Sequence, residues 1–281
     1  MSSFSQKNKN TIELYLCEKP SQGRDIAKAL GVKQRYQGYF QDNGIIVSWC
    51  IGHLLEMLPP DAYDNRYKRW SLHDLPILPQ QWKLDAKKST RSQLMVIKKL
   101  LKQSHSVVIA TDADREGETI AREVLDYFNF KGTLRRLWLS ALDPISIQRA
   151  LNSIQSSQQT LPLYHSGLAR GRADWLIGMN LTRAFTLLGN KEGNRQVRSV
   201  GRVQTPTLAL IVKRDREIKN FVPVPYYEIE AYFQTHDEQD KKSPLLMTQW
   251  QFPIPPDALK NYPSVNNQRH CLDKRQAQAV I

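Results

Sequence analysis

Cysteine is scarce in this 281-residue chain, and the three that occur exclude two kinds of small stapled fold. Cys17, Cys50 and Cys271 are odd in number, widely spaced and free of any CxxC pair. That leaves neither a disulfide framework nor a zinc ribbon within these residues. Cys17 and Cys50 lie in or beside apolar strand-like runs, where cysteine serves as a small buried hydrophobe. Long apolar runs are missing too. None approaches the ~18 residues needed to cross a bilayer, and the polar start MSSFSQKNKN lacks the apolar core of a secretory leader. The expectation is a cytoplasmic protein. Acidic residues are outnumbered: 27 Asp and Glu face 40 Lys and Arg, a net charge of +13. Such a surplus points to a polyanionic partner, nucleic acid ahead of a membrane surface. The remaining composition, 41% hydrophobic and 24% charged, is that of an ordinary globular chain. Its length suits roughly two domains.

The most informative stretch runs from Ser106 to Phe128, SVVIATDADREGETIAREVLDYF. Val107 to Ala110 form a short apolar run of the kind found in a strand buried on both faces. It breaks into Asp112, Asp114 and Glu116, with Glu118 close behind. After Gly117 the period changes, and Ile120, Val124 and Phe128 mark one face of an amphipathic helix. The acids therefore fall at the carboxyl end of a parallel strand, where open α/β sheets place ligands. Three carboxylates this close repel one another, and a hard divalent cation such as Mg²⁺ is the natural counter-charge. An acidic loop capping a helix N-terminus is the simpler alternative, and the strand–turn–helix setting favours the metal.

Taken in order, residues 1–10 carry no periodicity and read as a disordered tail. Ile12 to Cys17 reads as the first strand, ending in Glu18, Lys19 and Pro20. Ser21 is placed to cap a helix that Gly31 stops. In a parallel sheet Glu18 would face Asp112 and Asp114 across ~5 Å strand spacings; on spacing alone, an ordinary surface Glu–Lys pair is the better account of Glu18 and Lys19. Gly44 to Ile51 is another strand, and His53 beyond it reads as a histidine satisfied in a turn. Residues 59–90 hold four prolines among large aromatics and are expected to form an ordered loop packed over the sheet. Gln93 to Leu101 is helical, Leu134 to Leu139 a strand, and Asp143-Pro144 opens a further helix. The alternation predicts helices on both faces of the sheet.

The polar run Ile154 to Thr160 marks an expected domain boundary. Beyond it, Leu163–Gly189 and Val203–Ile218 are helical, and residues 166–219 hold eleven Lys or Arg against four Asp or Glu. Arg170, Arg172, Arg183, Arg195, Arg198 and Arg202 dominate that surplus. The arginine fork suits phosphate oxygens, and Arg198 to Thr205 adds Ser199, Gln204 and Thr205 as further donors to a phosphodiester backbone. A solvated basic helix face is the competing reading. From Tyr226 the sequence alternates like a strand, and DKRQAQAVI at the end reads as a helix without a stop signal.

Together these residues resemble the N-terminal part of a type IA DNA topoisomerase of the bacterial topoisomerase III kind. The matches are CEKPSQ (Cys17 onward), SWCIGHLLE (Ser48 to Glu56), TDADREGE (Thr111 to Glu118), LARGRADWLIGMNLTRA (Leu168 to Ala184) and SVGRVQTPTL (Ser199 to Leu208). TDADREGE alone would indicate only the broader toprim domain, shared with primases and some nucleases. SVGRVQTPTL is much more specific. The resemblance implies an α/β toprim domain at 11–155, Rossmann-like with a mostly parallel sheet. A mainly α-helical single-strand DNA-binding domain at 156–223 and the incomplete start of a strand-rich gate domain at 224–281 would follow. It further implies Mg²⁺ at Asp112, Asp114 and Glu116, Glu18 as the acid that manages the proton on the leaving 3′-oxygen, and Lys19 as the adjacent cation. Arg170, Ser199, Arg202 and Gln204 match positions that grip DNA, and Arg172 joins them on charge alone. In this family a tyrosine attacks a phosphodiester of single-stranded DNA. The resemblance places that tyrosine after Ile281; Tyr262-Pro263-Ser264 lacks the arginine of the family's Tyr-x-Arg. The expectation is therefore an N-terminal piece, monomeric, nucleoid-associated and not membrane-bound, that does not cleave DNA by itself. Helicase or single-strand-binding-protein partners are not legible. The rival classes are a non-catalytic module binding Mg²⁺ and single-stranded DNA, and a toprim nuclease or primase-like enzyme.

Overall fold

A computed structural model describes residues 11–190, 196–234, 245–250, 266 and 270–279. The expected tail at 1–10, Arg195 and Tyr262 lie outside the described residues. Compact packing divides the chain into two units, 1–207 and 208–281.

The first unit is built on strands β1 (Glu13–Cys17), β2 (Arg35–Tyr36), β3 (Tyr39–Asp42), β4 (Ile45–Trp49), β5 (Leu55–Met57), β6 (Leu84–Ala86), β7 (Ser106–Ile109), β8 (Thr133–Arg136) and β9 (Gln155–Ser156). Its helices are α1 (Pro20–Ala29), α2 (Arg91–Gln103), α3 (Arg115–Tyr127), α4 (Pro144–Asn152) and α5 (Leu161–Asn190). The seven-stranded sheet runs β2-β3-β4-β1-β7-β8-β9. Its centre, β4-β1-β7-β8, is parallel, and the edges β2, β3 and β9 are antiparallel. A Toprim-type mixed sheet followed by helix and then strand is thus the fold expected from the sequence.

Alternation along the central strands sends side chains to two separate cores. Leu14, Leu16, Ile46, Val107 and Ile109 pack beneath Leu94 and Ile97 of α2 and Ile120 and Val124 of α3. Tyr15, Cys17, Val47 and Val108 face the other way, against Ile26 of α1 and Ile147 of α4. Cys17 and Cys50 are fully buried on opposite faces, and burial pushes both thiols up, so they serve as inert core.

Two local readings are corrected. Ser21 does not cap α1; Lys19 occupies that position without a side-chain bond, and Pro20 supplies the helical φ that starts the helix. Within the polar run at 154–160, the expected domain boundary, Gln155 and Ser156 pair with β8 as the edge strand β9. The segment at 59–90 lies over the sheet's core only through Leu84 and Ala86. Its aromatics pack on α5: Trp175 meets Tyr63 and Trp82 edge-on at ring distances of 5.8 and 5.5 Å, and donates Nε1 to the Leu58 carbonyl. Three such rings make a small core of their own with Tyr67 and Ile77, which hydrophobic burial favours over spreading across an already covered sheet. Asn180 of α5 fastens the same segment by accepting from the Ile77 amide at 2.6 Å and donating to the Ile77 carbonyl at 3.1 Å. Asn180→Ala is expected to cost about 1–2 kcal/mol through two orphaned backbone groups. Faster hydrogen exchange at the Ile77 amide would check it.

In the second unit β10 (Ile229–Gln234) and β11 (Leu245–Trp250) form an antiparallel pair, and α7 (Lys274–Gln278) follows. Helix α6 (Gln204–Lys219) leads into it. Among the described residues, no helix is long and apolar enough to cross a membrane.

Candidate functional site

Adjacent parallel strands β1 and β7, in register Leu16 with Ile109, end side by side and carry Glu18 and Asp112 just beyond. The Asp112 amide donates to Glu18 Oε2 at 3.2 Å. Lys19 Nζ stands 3.3 Å from Asp112 Oδ2. Gln22, one turn into α1, joins both loops: its Oε1 accepts from the Glu18 amide at 2.8 Å and its Nε2 donates to Asp112 Oδ1 at 3.0 Å. A cavity of about 570 Å³ is lined by Lys19, Gln22, Asp112, Asp114 and the 139–142 segment. The two loops that sequence spacing only allowed to meet are therefore bonded together.

Glu18 is the chemically distinctive carboxyl. Burial raises its pKa first and the neighbouring Asp112 charge second; the Asp112 amide bond and Lys19 oppose that rise. A carboxyl pushed this way holds its proton to a higher pH than a free one does.

The four acids of DADREGE take four different positions. Asp112 is the one bonded to Lys19 and Gln22. Asp114 is the N-cap of α3, where Oδ1 accepts from the Gly117 amide at 2.7 Å. Gly117 is required by the close approach of these turns: a Cβ there would lie 2.4 Å from the Asp112 carbonyl oxygen. Glu116 turns toward basic neighbours, 3.2 Å from Arg170 Nη1 and 3.6 Å from His53 Nε2. His53 also bonds Glu123 at 3.1 Å; that bond, with the Glu123 charge and the Glu116 contact, raises the imidazole pKa against the effect of burial. The satisfied histidine expected at this turn is thus found.

Glu118 is wholly buried and structural. It pairs with Arg122 at 2.7 Å and Arg136 at 2.9 Å, and accepts from Thr160 at 2.8 Å. Arg136, itself fully buried, donates to the carbonyls of Ile109, Thr111 and Leu137 and, through Nη2, to that of Asp112 at 2.6 Å. This guanidinium holds the main chain of the acidic loop in place. Neither Gln22 nor Arg136 is evident from sequence. The signal for Gln22 is its position four residues beyond Glu18 on a helix; Arg136 gives none.

Among the described residues, no group of three His, Cys, Asp or Glu side chains converges as a cage for a metal. What converges is two carboxylates on one cavity, which is the protein share Mg²⁺ commonly takes when substrate phosphates and water supply the rest. The donor set fits the ion on those terms.

The basic candidates lie on α5 and the loop after it. Arg170 also approaches Asp174, at 3.9 Å, and Arg202 Nε bonds Asp174 Oδ1 at 2.7 Å. The 198–202 segment is strapped to α5 by the hydroxyls of Thr182 and Thr186, which accept from the Val200 and Arg198 amides. Ser199, Arg202 and Gln204 are exposed. Arg172 is spent differently, with its guanidinium 5.5 Å from the centre of the Trp82 ring. Arg183 is buried, donating to the Tyr67 carbonyl. Tyr67-Lys68-Arg69 is a further Tyr-x-Arg spelling in the chain. Tyr67 is buried there and its hydroxyl accepts from Arg66, so it is a core residue.

Comparison with known proteins accounts for both halves of this arrangement. Residues 13–142 match the Toprim domain model, and residues 158–281 match the DNA topoisomerase model. Over these residues the chain is similar to DNA topoisomerases. DNA topoisomerase 3 of Vibrio cholerae is 50% identical over 224 residues, which is 78% of this chain and 35% of that protein. DNA topoisomerase 3 of Haemophilus influenzae is 40% identical over 281 residues, 96% of this chain and 42% of that protein. The chain thus spans well under half the length of these topoisomerases. Full-length topoisomerase I of Thermotoga maritima shares the fold, with a TM-score of 0.55 at 24% identity over 90% of this chain and 38% of that one.

Proposed function

We propose that these residues form the N-terminal, phosphate-handling portion of a type IA DNA topoisomerase that breaks, passes and rejoins single DNA strands. The observation that carries the reading is the bonding of Glu18, Lys19 and Gln22 to Asp112 at the shared end of β1 and β7. Asp112 and Asp114 would hold Mg²⁺ together with a DNA phosphate, and Glu116 would join them on exchanging its arginine partner. The bound ion supplies positive charge against the phosphoryl oxygens. When a tyrosine oxygen that has lost its proton to solvent forms its bond to phosphorus and the P–O3′ bond breaks, a protonated Glu18 would give its proton to the leaving 3′-oxygen. Lys19 steadies charge that develops on the phosphate. Arg170, Ser199, Arg202 and Gln204 would hold the single strand, with Arg172 a weaker contact because Trp82 already engages it. The partition at 155 and 223 into toprim, helical and gate portions belongs to this reading, as does a cytoplasmic, nucleoid-associated setting. The nucleophilic tyrosine would come from outside these residues.

The test is incubation of the chain with labelled single-stranded oligonucleotide and Mg²⁺, analysed on native and denaturing gels. Retention without a covalent adduct is expected. An adduct would make a tyrosine of this chain the nucleophile and overturn that placement. Metal-dependent cutting without a link would favour the nuclease class, and absence of retention would remove the DNA grip.

A further inference from the structure

Two of the arginines assigned to the DNA grip already hold carboxylates. Arg170 is 3.2 Å from Glu116 and 3.9 Å from Asp174, and Arg202 bonds Asp174 at 2.7 Å. The result is an alternating chain, Glu116–Arg170–Asp174–Arg202, running from the acidic loop of α3 to the loop after α5. Of its two carboxylates, Asp174 is the one with no proposed part in metal or proton chemistry. Its carboxylate, with two oxygens and one negative charge, presents to a guanidinium what the two unesterified oxygens of a phosphodiester present.

We infer that Asp174 is an affinity-setting residue, an internal stand-in for a DNA phosphate that holds the two arginines and opposes the strand's own phosphate. The inference rests on the DNA-binding reading above. Side chains at this site are part-exposed, 39% for each arginine and 44% for Asp174, so the pairs are screened and exchangeable and do not support the fold. A phosphate arriving at Arg202 must displace Asp174 and then lie beside it, repelled by a like charge. The cost falls on every backbone phosphate equally, so it lowers affinity without selecting sequence. It also eases release, which suits an enzyme that must let a strand go.

The test uses near-isosteric Asp174→Asn in the full chain, with binding of a labelled single-stranded oligonucleotide followed by fluorescence anisotropy across a salt series. The expected result is about three- to tenfold tighter binding at low salt, with a slope of log affinity against log salt steeper by about 0.7, the increment for one more neutralised phosphate on a single strand. Arg202→Ala should weaken binding, and Asp174→Asn placed on that background should lose most of its gain. Unchanged or weaker binding by Asp174→Asn, in a protein whose circular dichroism and melting are unaltered, overturns the inference and makes Asp174 an organiser of the arginines. If wild type does not bind the oligonucleotide and Arg202→Ala is indistinguishable from it, the DNA-grip reading itself fails.

Discussion

Exchange of Glu118 for alanine is expected to destabilise the first unit by about 3–5 kcal/mol, the range for breaking a buried ion pair from one side. The mechanism is specific. Glu118 is fully buried and is the counter-charge for two arginines, Arg122 and Arg136, that are themselves buried. Removing it leaves both guanidiniums in a poorly polarisable interior, with the Thr160 hydroxyl also deprived of its acceptor. Urea denaturation should show the loss, alongside a drop of roughly 10 °C in the melting midpoint. Replacing Glu118, Arg122 and Arg136 together with apolar residues of similar volume should recover part of it, since a buried network removed whole leaves no stranded charge. A single variant as stable as wild type would show that water reaches this network. Glu116, two residues earlier and half exposed, should tolerate alanine with little change in stability.

The second large effect is expected at Gly117. An alanine Cβ there would stand 2.4 Å from the carbonyl oxygen and 2.9 Å from the nitrogen of Asp112. Both atoms are backbone, so no rotamer change relieves the contact, and overpacking of this kind costs about 1–3 kcal/mol. The strain is released by moving the loop that carries Asp112, which would part it from Glu18, Lys19 and Gln22. Gly117→Ala is therefore expected to fold with a lowered melting point and to lose divalent-cation binding. Mn²⁺ titration monitored by electron paramagnetic resonance, with oligonucleotide present, measures that loss. Wild-type Mn²⁺ binding in the variant would mean that Asp112 does not need its present position to hold the ion.

What could be read in advance follows from which signals are periodic. Val107 to Ala110 and Ile120 to Phe128 announce a buried strand and an amphipathic helix, and the parallel pairing of β1 and β7 then brings Glu18 to Asp112 by geometry alone. The same acidic run conceals its division of labour. Glu116 and Glu118 are alike as letters, yet one lies among exposed basic groups and the other forms the polar centre of a core. The difference comes from Arg136 and Thr160, which lie on other elements and which spacing cannot bring together. Edge strands such as β2 and β9, two residues each, are too short for alternation to show. The 59–90 segment advertised its order through its aromatics, but its partner surface on α5 depended on one tryptophan far along the chain.

Helix α5 has a role beyond presenting arginines. Its 30 residues span about 45 Å. Along that length it meets α3 at Gly167, where a Cβ would collide with the Thr119 side chain, then the aromatic cluster at Trp175, then the 67–77 segment through Asn180 and Arg183. These patches follow one another along one helix, so α3 and the 59–83 segment share a support in addition to the bonds each has of its own. Local opening of either exposes its share of the helix and weakens the other's anchorage. The two regions thus belong to one cooperative unit, protected together and lost together as the helix frays.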